Sequence, residues 1–123
     1  MHTGYFGAST GAASALRAAA ELGPGNIKAV VSRGGRPDLA TRYLNKVKSP
    51  TLLLVGERDH EVLKLNKQSL RKLKCQKQLQ VIAEATHLFE EPGTMAEVTG
   101  IGANWFLKYL YRIPRGIEKD FME

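Results

Sequence analysis

Cysteine is nearly absent from this chain: Cys75 stands alone. A single thiol excludes an intramolecular disulfide and suits a reducing compartment. Long apolar runs are missing too. The longest, Leu52-Leu53-Leu54-Val55, falls far short of the about 20 residues that a membrane-spanning helix needs. The first four residues hold no basic segment leading into an apolar core, so no secretory leader is expected. These absences predict a cytoplasmic protein that does not enter a membrane. No group of residues has metal-ligand spacing, so no metal is expected, and nothing implies an organic cofactor. Internal repeats and low-complexity segments are also absent.

What is present is ordinary for one small soluble domain: 123 residues, 43% hydrophobic and 24% charged. The formal net charge is +6, and much of it lies in one stretch, from Lys64 and Lys67 through Arg71 to Lys77. Spacings of three and four place Lys64, Lys67 and Arg71 on one helical surface. No aromatic residue interleaves with them, so bases would find no stacking platform. The stretch reads as a solvated helix face, and no nucleic-acid partner is expected.

Short apolar segments alternate with helix-forming ones along the chain. Strands are expected at 5–8, 27–32, 51–55 and 79–83, and helices at 10–22, 61–73 and 94–111. A short helix can start at Pro37. Gly23-Pro24-Gly25-Asn26 ends the first helix. The third helix would bury Val62, Leu63, Leu65, Leu70 and Leu73, and the last Val98, Ile101, Trp105, Leu107 and Leu110. Thr94 with Glu97 three residues on has the pattern of a capping box. Such alternation predicts a three-layer α/β domain with a four-stranded parallel sheet in sequential order, joined by right-handed crossovers. The domain spans residues 1–112, and a loosely held polar tail 113–123.

In parallel sheets, function gathers at the carboxyl ends of the strands. After the first strand comes Gly7-Ala8-Ser9-Thr10-Gly11, a G-x-S-x-G turn between a strand and a helix. After the second come Arg33 and Arg36. After the third come Asp59 and His60, and after the fourth His87. Ser9, Asp59 and His87 therefore follow different strand ends in the order Ser…Asp…His. A serine hydroxyl is a poor nucleophile until a base takes its proton. Histidine serves as that base near neutral pH, and a carboxylate fixes its tautomer and stabilises the imidazolium.

Four segments resemble the dienelactone hydrolase-like α/β-hydrolases: Gly4 to Gly11, Ser32 to Asp38, Leu54 to Asp59, and Ala85 to Phe89. The resemblance covers most of residues 4–111 and corresponds to the C-terminal half of the α/β-hydrolase fold. It implies Ser9 as nucleophile, Asp59 as acid, His87 as base and the Thr10 backbone N–H as one oxyanion donor. The substrate would be a small molecule with an ester or related acyl bond. The chain departs from the family pattern in its nucleophile, in one loop residue and, most of all, in where the turn falls. Dienelactone hydrolases in the strict sense use cysteine where this turn has Ser9, which favours a generic ester or acyl hydrolase. Glu84 also replaces the small residue usual before the histidine loop. Similar sequences are sometimes fused to phosphoribosyltransferase domains, and nothing in this chain resembles one.

The family places its nucleophile after the fifth of eight strands, whereas this turn begins at residue 7. The earlier strands would be missing, together with the loop that supplies a second oxyanion donor. One such donor is worth about 2.7–4 kcal/mol in the transition state. The alternative expectation is therefore a truncated, non-catalytic half that needs a partner chain or is a gene fragment. Its first strand would form an exposed sheet edge open to a homodimer or a partner chain.

The remaining candidates divide between site and surface. Arg33 and Arg36 lie where they would clamp an anionic substrate group, with Asp38 as a local alternative partner for the loop. Asp59 could instead cap the next helix. His60 sits at a helix start and His2 at the terminus, and both read as solvated. Glu90 and Glu91 read as solvated as well. Lys74 and Lys77 beside Cys75 would lower its pKa, but it lies far from any strand end.

Overall fold

The computed structural model describes residues 3–110. Strand β1 (Thr3–Ala8) leads to helix α1 (Thr10–Leu22) and strand β2 (Ile27–Arg33). A 3-10 turn, Pro37–Ala40, runs on into the short helix α2 (Thr41–Leu44). Then come β3 (Thr51–Gly56), α3 (His60–Lys72), β4 (Lys77–Ile82) and α4 (Thr94–Leu110). The sheet is parallel throughout, in the order β1-β2-β3-β4. This is the expected three-layer α/β arrangement. His2 and the tail 113–123 lie outside the described residues.

The layers follow from the period-2 alternation of strand side chains. Val30 of β2 and Leu53 of β3 point into a cluster with Leu16 and Ala19 of α1, Leu44 of α2 and Leu73. Their neighbours Val31, Leu52 and Leu54 point the other way, onto Val98, Trp105 and Tyr109 of α4. Every residue of β3 is buried, as a central strand covered on both faces must be. Each fully buried leucine contributes about 1.5–3 kcal/mol of apolar transfer, so β3 anchors the fold.

Several element ends have visible causes. Gly23 closes α1 at φ 80, and its N–H donates to the Ala19 carbonyl, a conformation that suits glycine. The Trp105 indole N–H donates to the Pro50 carbonyl at 3.3 Å, tying α4 to the start of β3.

Three expectations about the helices are corrected. No capping box forms at α4: the Thr94 hydroxyl donates to the Glu91 carbonyl at 2.8 Å, and the Glu97 N–H donates to the Gly93 carbonyl. Leu107 does not join the buried stripe of α4 but is 58% exposed, because the close approach to β2 is made at Gly102. Within α3 the fully covered positions are Asn66 and Ser69, while Val62, Leu63, Leu65 and Leu70 are only partly buried; of the expected apolar positions Leu73, just past the helix end, is the one fully buried. Among the described residues no helix is long and apolar enough to cross a membrane.

β1 is an edge of the sheet. Phe6 is 51% exposed there, beside an apolar groove of about 480 Å³ lined by Gly4, Phe6, Ala103, Phe106, Leu107 and Leu110.

Candidate active site

The turn after β1 is tight because of what surrounds it. A Cβ on Gly7 would lie 2.6 Å from the Ala12 Cα and 2.7 Å from the Gly11 carbonyl oxygen, so only glycine lets α1 start this close to the strand. At Gly11 a Cβ would meet nothing within 4 Å. Between them Ser9 adopts φ 50, strained for a residue with a Cβ. The strain is held by hydrogen bonds on both of its backbone groups. Its N–H donates to the Arg33 carbonyl at 3.3 Å, and its carbonyl accepts from the N–H groups of Ala12 and Arg36 at 3.2 and 2.9 Å.

Asp59 follows β3 and occupies the N-cap position of α3, yet its side chain makes no cap hydrogen bond. Its backbone carbonyl accepts from the Leu63 N–H at 2.8 Å, which starts the helix without the carboxylate. That carboxylate, with 13% of its side chain exposed, goes to His87 instead.

His87 comes from the loop between β4 and α4. Arg58 N–H donates to the Ala85 carbonyl and Glu57 N–H to the Ile82 carbonyl, each at 2.9 Å. Gly56 packs directly against the Ala85 carbonyl, leaving no room for a Cβ. Glu84 has φ 61, a conformation that favours glycine over a residue with a Cβ. Its N–H donates to the Glu57 carboxylate at 2.9 Å. Phe89, also at positive φ, is 2% exposed and anchors the far side of the loop in the core.

The three side chains meet. Ser9 Oγ lies 3.0 Å from His87 Nε2, and His87 Nδ1 lies 2.6 Å from Asp59 Oδ2. An ionised carboxylate only accepts, so Nδ1 carries the proton and Nε2 is left to accept from the serine hydroxyl. Residues 78 and 28 positions apart in the chain thus form one hydrogen-bonded line. His60 is exposed at the start of α3 and takes no part.

The other candidates are distributed as follows. Thr10 opens α1, where a backbone N–H has no intrahelical acceptor. Arg33 ends β2, and its guanidinium donates to the Met95 sulfur at 3.3 Å. Arg36 forms a two-pronged pair with Asp38 at 3.0 and 2.9 Å. The Arg36 hydrogen bonds hold the Asp38 carboxyl below the usual carboxylate range. The Arg36 fork is therefore already occupied by a local partner.

Two expectations fail near the site and beyond it. Glu91 is not simply solvated: its carboxylate accepts from the Thr86 hydroxyl at 2.6 Å and from the Thr86 N–H at 3.0 Å. Those bonds hold its pKa below the ordinary value. At Cys75 the neighbouring lysines do not prevail; burial pushes the thiol pKa up.

Sequence reasoning passed over Asn66 and missed the role of Glu91. Asn66 lies four residues after Val62 and four before Leu70, on the stripe otherwise read as apolar, and a polar side chain there was the available signal. Glu91 offered none, since its bonds to Thr86 depend on how the loop 83–93 folds back.

Residues 2–104 match the Dienelactone hydrolase family. The chain belongs to that family. A dienelactone hydrolase from Anabaena variabilis superposes with a TM-score of 0.87 at 52% identity, over 89% of this chain and 50% of that one. The esterase domain of a Rhodothermus marinus protein shares the fold, with a TM-score of 0.76 at 17% identity, over 88% of this chain and 62% of that one. A Mycobacterium tuberculosis protein named "Putative phosphoribosyl transferase" is 54% identical over 110 residues, which are 89% of this chain and 25% of that protein. The chain thus spans a quarter of that curated relative and half of the Anabaena dienelactone hydrolase. Family and fold are those of hydrolases.

Proposed function

We propose that this chain carries the nucleophile, base and acid of a serine hydrolase acting on an ester or related acyl bond. The observation that carries the reading is the continuous line from Ser9 Oγ through His87 to Asp59, at 3.0 and 2.6 Å. In the acylation step Ser9 Oγ attacks the carbonyl carbon while its proton passes to His87 Nε2. The tetrahedral oxyanion takes a hydrogen bond from the Thr10 N–H at the start of α1, where the helix dipole favours negative charge. His87 then gives the proton to the leaving alcohol as the C–O bond breaks. Water enters by the reverse sequence and frees the acid. Asp59 holds the imidazole in the Nδ1–H tautomer and stabilises it when charged. Arg33, with no carboxylate partner among the described residues, is the candidate to hold an anionic substrate group. Arg36 would first have to leave Asp38.

The name of the M. tuberculosis relative describes a protein four times as long as the part matched here. Nothing in the Ser9 line provides for phosphoribosyl transfer, and the acyl-hydrolase reading rests on this chain's own side chains. A second reading has its own observation. The unpaired edge of β1, with exposed Phe6 and the apolar groove beside it, favours a hydrolase half that works only with further polypeptide against that edge.

A serine-directed fluorophosphonate and p-nitrophenyl acetate separate the two. The first reading expects Ser9 to be labelled and the ester to turn over, both lost in Ser9→Ala. A wild-type chain that neither labels nor exceeds Ser9→Ala leaves the second reading standing.

A further inference from the structure

Asn66 is fully buried in the middle of α3. Its Nδ2 donates to the Gly35 carbonyl at 3.0 Å and to the Val62 carbonyl at 2.8 Å. Two carbonyl oxygens face that atom, so it must be the amide nitrogen rather than the oxygen. The Oδ1 is buried with no partner. A leucine here would remove the orphan oxygen but would also strip the Gly35 carbonyl of this donor.

The other end of the contact shows what that donor holds. Gly35 is wedged against Ser32 and Ala12, with no space for a Cβ. The next residue, Arg36, donates its N–H to the Ser9 carbonyl at 2.9 Å. At the other end of the same loop, the Arg33 carbonyl accepts from the Ser9 N–H, and the Gly34 N–H donates to the Leu54 carbonyl at 2.7 Å. Residues 33–36 thus grip both backbone groups of a serine held at φ 50. Asn66 is the side chain that fixes the middle of this loop, and it stands on the helix that begins next to Asp59.

We infer that Asn66 is a positioning residue for the nucleophile, locking the Gly35–Arg36 loop so that Ser9 keeps its strained turn in register with the Asp59–His87 pair. This rests on the proposed role of Ser9. Asn66 touches neither substrate nor reacting atoms. Its effect passes through Gly35, Arg36 and the Ser9 carbonyl.

The test uses three variants. Asn66→Leu keeps the branched shape and the number of side-chain heavy atoms and removes the donor. Asn66→Ser can still bond within the helix to the Val62 carbonyl but cannot reach Gly35, and serves if the leucine variant does not fold. Val47→Ala opens a cavity in the core at a fully buried position and controls for lost stability alone. The first readout is amide hydrogen exchange at Arg36, normalised to the slowest amides of β3, which needs no activity. Both Asn66 variants should speed it at least tenfold, and Val47→Ala should not. The second readout is fluorophosphonate labelling of Ser9. The maximal inactivation rate should fall at least tenfold at unchanged half-saturating concentration and unchanged pH profile, again only in the Asn66 variants. Arg36 exchange no faster than in Val47→Ala overturns the inference, and so does an unchanged inactivation rate in a wild type that labels. A wild type that does not label refutes the proposed function instead, and Arg36 exchange then decides the grip on its own.

Discussion

Asp59 occupies a position with two competing uses, and two substitutions separate them. As the N-cap of α3, its side chain would bond a first-turn N–H, and its loss to alanine would cost about 1 kcal/mol. Asparagine caps as well as aspartate, so Asp59→Asn would be neutral in that role. The structure assigns no cap bond to the carboxylate and sets it 2.6 Å from His87 Nδ1 with only 13% of the side chain exposed. In that setting asparagine is no substitute. Its neutral amide neither stabilises an imidazolium nor enforces the Nδ1–H tautomer. In triad hydrolases this change lowers kcat by about 10⁴, or about 5.4 kcal/mol at 1.36 kcal/mol per tenfold. The expectation is therefore that Asp59→Asn and Asp59→Ala both reduce Ser9 acylation by about 10³–10⁴, while the urea midpoint of Asp59→Asn stays near wild type. Acylation is read from the p-nitrophenol released at high enzyme concentration. An Asp59→Asn variant that acylates within tenfold of wild type, beside a destabilised and active Asp59→Ala, would refute the assignment and return Asp59 to capping.

Three further predictions concern the frame around the site. Glu91 has a folded pKa below its ordinary value, so the stability it contributes is full above the ordinary carboxylate pKa and is lost as pH falls through the lowered one. Glu91→Gln should therefore unfold at lower urea than wild type at pH 7, and the difference should fade as the pH falls through the lowered pKa; a gap that persists in strong acid argues against the Thr86 clamp. The two glycines of the serine turn should behave oppositely. Gly7→Ala meets Ala12 and Gly11 backbone and should cost about 1–3 kcal/mol, whereas Gly11→Ala meets open space in a helix and should be neutral or stabilising by up to about 1 kcal/mol; equal denaturation midpoints would contradict the packing described. Finally, the exposed β1 edge and Phe6 predict self-association. Sedimentation at micromolar concentration should show dimers or larger species, and Phe6→Lys should shift them toward monomer; a wild-type monomer with cooperative unfolding removes the prediction.

The order of elements was legible because its signals are local. Apolar runs such as Leu52–Val55 mark buried strands, and Gly23 and Pro50 mark the ends of elements. The serine turn was legible because glycine spacing, strand and helix all lie within a few residues. The meeting of Ser9, Asp59 and His87 followed from a topological rule: each lies just past a strand, and a parallel sheet brings strand ends to one edge. What sequence could not decide was the direction of individual side chains. Whether Asp59 capped its helix or turned to His87, and whether Arg36 reached outward or closed on Asp38, depended on distances set by other parts of the chain.

The sequence by itself determined the layered α/β fold and the residue types at its strand ends, because strand periodicity and turn chemistry act over a few neighbouring residues. Only the tertiary structure decided how the site is held. Asn66 grips Gly35 from 31 positions away, and Arg33 and Arg36 grip the backbone of Ser9 across the first crossover. Such contacts form only when distant segments are packed against one another. For that reason a buried asparagine that reads as a gap in an apolar stripe becomes, once folded, a hydrogen-bond partner of the loop that holds the Ser9 backbone.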